Sequence, residues 1–83
     1  MAKKHYNQTV GFADRLTDAM REKNINITQL AEKVGMERKS VSGYVNGYGM
    51  PNALVFARMC KVLNVSADYL LFGERGQNGK DNG

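Results

Sequence analysis

Apolar residues recur along this chain with the spacing of short amphipathic helices. Phe12, Leu16, Ala19 and Met20 stand at i, i+4, i+7 and i+8, with Asp14, Arg15, Asp18 and Arg21 on the opposite face, which predicts a first helix over roughly Thr9 to Lys23. Asn24 and Asn26 break it. Asn26, with Gln29 three residues on and Ile25 as an outside staple, has the pattern of a capping box and begins a second helix whose stripe is Leu30, Ala31 and Val34. Gly35 suits the left-handed stop that ends it. After Met36, Glu37 to Val45 reads as a third helix with Val41, Tyr44 and Val45 inward and Arg38, Lys39, Ser42 and Gly43 outward. Asn46 to Pro51 is rich in turn formers. Asn52 then caps a fourth helix carrying Phe56, Met59, Cys60 and Leu63, and Ser66 caps a fifth with Ala67, Leu70 and Leu71, closed by Gly73. No strand-like alternation, sustained heptad or internal repeat is present. The fold expected is therefore all-α, five short helices around one core.

Composition narrows the class. Eighty-three residues fit one small domain, and the 42% apolar and 24% charged content belongs to a globular chain. The expected organisation is a flexible basic arm over 1–8, a folded domain over 9–73 and a disordered tail over 74–83, where Glu74 to Gly83 has no apolar residue. The longest apolar stretches, Ala53 to Ala57 and Tyr69 to Phe72, are far short of the roughly 20 residues of a membrane span, and no signal peptide is expected. One cysteine and one histidine exclude an internal disulfide and a His/Cys zinc site, which fits a reduced, cytoplasmic setting. The net charge of +4 and pI near 9.4 lean toward a polyanionic partner, and the basic excess lies in the first half of the chain.

Catalytic chemistry finds little footing. His5 sits in a polar arm beside Lys3 and Lys4 with nothing to orient it as a base. Cys60 occupies an apolar helical position next to Met59 and reads as core filler. Asp14 and Asp18 are a solvated pair on one helix face, and Gly43, Gly47 and Gly49 neither follow a strand nor precede a P-loop lysine. No enzyme activity, cofactor, metal or small-molecule site is expected.

The stronger constellation is the helix pair joined at Gly35. A small side chain at Ala31 lets the second helix cross the third closely at Val41, the geometry of a helix-turn-helix, whose second helix enters the major groove of DNA. The run Leu30-Ala31-Glu32-Lys33-Val34-Gly35-Met36, then Ser40-Val41-Ser42, Asn46-Gly47 and Leu63-Asn64-Val65-Ser66-Ala67-Asp68-Tyr69-Leu70-Leu71, resembles the lambda repressor and Cro type of helix-turn-helix family. The likeness runs without a gap from Phe12 to Gly73. It implies a five-helix domain that binds operator DNA as a two-fold homodimer and regulates transcription, commonly as a repressor in phages or bacteria.

Carried over by position, the resemblance makes Arg38 and Lys39 base readers, a role suited to their chemistry toward guanine, with Ser42 and Gly43 beside them. Gly43 stands where many relatives have a longer polar side chain. It implies phosphate contacts from the start of the second helix at Asn26, Ile27 and Thr28, from Asn46, Tyr48 and Asn52, and from Lys3 and Lys4 of the arm. Ile27 replaces a glutamine common in the family, and the loop Tyr48-Gly49-Met50 lacks the basic residues many relatives carry. Ala67, Leu70 and Phe72, joined by Leu54 and Val55, are the expected dimer interface. Many members have arginine at the position of Met20 and glutamate at that of Val45, so these two apolar residues are expected to pack together in place of an ion pair. The rival readings are an antitoxin or restriction-modification controller using the same face, and a protein-interaction module that keeps the fold without binding DNA.

Overall fold

The computed structural model describes residues 11–73. Five helices follow one another: α1 (Phe12–Lys23), α2 (Ile27–Val34), α3 (Arg38–Val45), α4 (Ala53–Leu63) and α5 (Ala67–Phe72), with no strand among the described residues. The all-α, five-helix expectation therefore holds. The arm over 1–8 and the tail over 74–83 lie outside the described residues, as do Thr9 and Val10 at the expected start of α1. The helix begins at Phe12 instead, because Gly11 takes a φ of 91°, outside the right-handed helical region.

Caps set the helix starts. The Asn26 carboxamide oxygen accepts from the Gln29 amide at 2.8 Å while the Gln29 side chain accepts from the Asn26 amide at 2.9 Å, so the capping box is complete. Asn52 accepts from the Val55 amide at 2.9 Å and Ser66 from the Tyr69 amide at 2.9 Å, starting α4 and α5. Glu37 precedes α3 without a side-chain cap and helps only through its charge at the positive end of the helix.

A positive-φ residue caps four of the helices directly, and at α3 it stands one residue beyond the Asn46 cap. Asn24, Gly35, Gly47, Asn64 and Gly73 adopt left-handed backbone conformations. At the first four, the next amide reaches five residues back: Ile25 to the Met20 carbonyl, Met36 to Ala31, Tyr48 to Gly43 and Val65 to Cys60, at 2.8 to 3.0 Å. These bonds satisfy carbonyls that a helix end leaves unpaired. They also drop an apolar residue onto the core just past the stop, since Ile25, Met36 and Val65 pack against it. Tyr48 is the exception, 86% exposed.

Every helix contributes to one core. Phe12, Leu16, Ala19 and Met20 come from α1, Leu30, Ala31 and Val34 from α2, Val41 from α3, Val55, Met59 and Leu63 from α4, and Leu70 from α5. No polar or charged residue is buried among those described. The Phe12 and Phe56 rings meet at 6.2 Å with a 42° tilt. Cys60 is half-buried beside this core, and burial pushes its thiol pKa up, so it stays protonated and serves as filler. No helix among the described residues is long and apolar enough to cross a membrane.

Two arginines close helix ends from a distance. Arg15, placed on the polar face of α1 by its spacing, donates from Nε to the Leu70 carbonyl at 3.0 Å and from Nη2 to the Leu71 carbonyl at 2.8 Å. Its guanidinium thus ties the first helix to the last. Arg58 of α4 donates to the Val34 carbonyl at 3.2 Å at the end of α2. Both place positive charge at the negative end of a helix. Arg15→Ala is expected to destabilise the domain by about 2 kcal/mol through loss of charge-assisted bonds, with Arg15→Lys recovering only part because an ammonium lacks the planar fork. Urea unfolding of the three proteins measures both effects.

Candidate nucleic-acid interface

Gly35 and the Met36 amide bond turn the chain so that α3 lies across α2, and Ala31 and Val41 are buried at 3% and 0% exposure where the two helices pack. Val41 is the one fully buried residue of α3; Tyr44 and Val45 pack against the core while half-buried. The outward face carries Arg38 and Lys39, both exposed, with Ser42 and Gly43 half-buried along it. No carboxylate lies within Arg38–Val45, so nothing in the helix itself repels a phosphate-lined groove.

Arg38 is aimed. Its Nε donates to the Thr28 hydroxyl at 3.1 Å, a bond that crosses from the start of α3 to the start of α2. With Nε engaged, the two terminal NH2 groups remain as the pair that can face acceptors such as guanine O6 and N7. The same bond brings two candidate contact positions together. Sequence spacing gave no sign of it, since it depends on how the two helices cross.

The phosphate candidates differ in what each can offer. Asn26 and Asn52 use their carboxamide oxygens as caps, which fixes each side chain and leaves its NH2 group as the donor for a phosphate. Ile27 packs its side chain against the core and offers only its backbone amide, which with that of Thr28 lies in the first turn, where a helix supplies no carbonyl partner. Asn46 is engaged at the end of its own helix. Its Nδ2 donates to the Ser42 carbonyl at 2.8 Å and lies 3.3 Å from the Ser42 hydroxyl, so its donor is turned back onto α3. Tyr48 projects its ring and hydroxyl from the loop. Lys3, Lys4 and His5 lie outside the described residues.

A groove of about 470 Å³ separates the end of α1 from the starts of α2 and α3. Met20, Ile25, Ile27 and Val45 supply its apolar lining, and Arg21 and Arg38 its charge. Met20 and Val45 both line this groove, the positions where many relatives carry an arginine and a glutamate. Met20 is the more buried of the two, and Val45 is half-buried. Arg21 is held by Asp18 at 2.8 Å in an exposed pair worth little by itself.

The expected dimer surface needs correction at two positions. Val55 is 4% exposed and Leu70 0%, because both face the protomer's own core, and neither has surface left for a partner. Leu54 and Phe72, their sequence neighbours, point outward at 59% and 54%, and Ala67 is exposed. Tyr48 and Met50 complete the large hydrophobic side chains exposed among the described residues.

Comparison with known proteins agrees with this geometry. A family model described as Helix-turn-helix matches residues 16–70. Among curated proteins, the chain is similar to the uncharacterized HTH-type transcriptional regulator YqaE of Bacillus subtilis (strain 168), 29% identical over 66 residues that make up 80% of this chain and 57% of that protein. It is also similar to the HTH-type transcriptional regulator AnsR of the same organism, 29% identical over 62 residues, 75% of this chain and 53% of that protein. The chain spans somewhat more than half the length of these relatives.

The groove around Met20 and Val45 yields a direct test of the helix alignment. Val45→Glu and Met20→Arg each place a charge over an apolar lining, and each is expected to destabilise by about 1 to 3 kcal/mol, less than in a sealed site because the groove opens to water. The double variant should recover part of the summed loss, since the two charges meet. Thermal unfolding of the four proteins forms the cycle, and purely additive losses would mean that the side chains do not share the groove.

Proposed function

The chain belongs to the helix-turn-helix family of the lambda repressor and Cro type, and from that premise we propose that it is a sequence-specific DNA-binding regulator of transcription, acting as a homodimer, that represses from a palindromic operator. The observation that carries this reading is the outward face of α3, where Arg38 and Lys39 stand exposed on a helix without carboxylates and Arg38 is steadied by Thr28. In this arrangement α3 enters the major groove. The amides of Ile27 and Thr28 and the side chains of Asn26 and Asn52 take the flanking phosphates, which position the protein while the α3 side chains read bases.

A single module of this size covers too little duplex for high specificity, which favours two copies on half-sites about one helical turn apart. Ala67, Leu54 and Phe72 supply the apolar surface for that pairing. The same exposed residues, with no basic group in the Tyr48-Gly49-Met50 loop, favour a second reading as a protein-interaction module.

Selection from randomised duplexes, followed by binding competed with random DNA, separates the two; absence of any preferred sequence would favour the interaction module. On a selected duplex, Arg38→Ala is expected to lose about 1 to 3 kcal/mol and to relax preference at one base pair of each half-site, whereas Asn52→Asp should weaken all sequences alike. Leu54→Lys with Phe72→Glu should leave the fold intact and shift the protein to monomer in sedimentation. An unchanged oligomeric state would remove these residues from the interface.

A further inference from the structure

Gly43 is the one glycine inside a helix among the described residues. The other glycines at helix boundaries, Gly11, Gly35, Gly47 and Gly73, take positive φ values that a side chain would strain. Gly43 does not, and its backbone is ordinary helix. A Cβ placed on it would meet no atom of the described residues within 4 Å beyond its own stretch of helix. Neither conformation nor packing among the described residues therefore calls for glycine, although glycine weakens a helix interior, here in a helix of only eight residues. Nothing among the described residues supplies the reason for it, which leaves a group outside them. Gly43 follows Lys39 by one helical turn and adjoins Ser42 on the outward face, so the outside group is whatever that face meets.

The chemistry of the position selects the group. The backbone around Gly43 is hydrogen-bonded within and just beyond α3, with the Gly43 carbonyl itself accepting from the Tyr48 amide at 2.8 Å. No side chain is present to donate or accept, so the position offers a base edge only an apolar, methyl-sized space. In the major groove one base presents an apolar group: thymine, through its 5-methyl. Building on the DNA-binding reading above, we propose that Gly43 is a specificity-determining residue, and that the 5-methyl of a thymine in each half-site occupies the space a Cβ would fill. Lys39 and Ser42 then supply polar contacts on either side of this methyl.

The test uses the full chain and a duplex of about 20 base pairs selected by the wild-type protein from a randomised library. Each thymine is replaced in turn by deoxyuridine, which lacks only the methyl, and binding is followed by fluorescence anisotropy. One replacement per half-site should weaken the wild type about fourfold, the worth of one buried methyl. Gly43→Ala should weaken binding to the thymine duplex about tenfold, and most of that loss should vanish when uracil stands at the same position. The variant should meanwhile gain about 4 to 8 °C in Tm, since alanine removes the helix penalty and meets nothing among the described residues.

Equal or tighter binding of Gly43→Ala to the thymine duplex would overturn the proposal, as would the same loss on thymine and uracil. A fall in Tm would overturn it from the other side by revealing a role for the glycine within the fold. Selection of no duplex at all would instead bring down the DNA-binding reading and this proposal with it, so the two failures are told apart.

Discussion

The left-handed residue that ends each helix governs the rest of this fold. Helices of six to twelve residues leave a large share of their carbonyls without intrahelical partners, and a domain this small has few other groups to satisfy them. Asn24, Gly35, Gly47 and Asn64 solve this locally by turning the backbone so that the following amide folds back onto the last turn, and at Gly73 the residue's own amide does so. The same turn fixes the direction in which the next helix leaves. At Asn24 and Asn64 an apolar residue docks on the core and a capping residue then begins the new helix, Asn26 in one case and Ser66 in the other. The α1–α2 and α4–α5 corners are thus built from the same sequence of backbone states.

The corner at Gly47 behaves differently, and the difference faces outward. Its backbone bond is the same, yet Tyr48 turns away from the core where Ile25, Met36 and Val65 turn toward it. The end of α3 is therefore fixed by hydrogen bonds while its following side chain is given over to the surface. An isolated helix of eight residues is marginal in water, and α3 buries only Val41 completely. It is held by the Gly47 corner at one end, by the Arg38 to Thr28 bond at the other, and by the half-buried Tyr44 and Val45 between. Arg38 and Lys39 are its exposed residues and the others are buried or half-buried, so the surface it offers a partner is concentrated at its amino end and along Ser42 and Gly43.

Charge in this protein has two functions, and the net value blurs them. Arg15 and Arg58 direct their guanidiniums at the carbonyl ends of α5 and α2, where they stabilise helix termini within the protomer. Arg38 and Lys39 are the basic residues set on the candidate interface. Among the described residues the guanidiniums of Arg15 and Arg58 are engaged within the protomer, whereas Arg38 and Lys39 stand exposed on the outward face of α3.

Much of the fold was legible in the sequence because the signals that set it are local. Helical spacing, the Asn26 and Gln29 box, the Asn52 and Ser66 caps, and the Gly35 and Gly73 stops each act within five residues, and each appears where the chain predicts it. The outward set Arg38, Lys39, Ser42 and Gly43 follows from the same periodicity. What tertiary structure alone decided are the relations across long separations. Arg15 meets carbonyls at the far end of the chain, and Arg38 leans on Thr28. Val55 and Leu70 turn inward while their neighbours Leu54 and Phe72 turn out, and Asn46 folds back onto α3. An apolar run such as Ala53 to Ala57 specifies that one of its sides is buried, but the side is chosen by the neighbouring helices that pack against it, and their arrangement exists only once the chain has closed on itself.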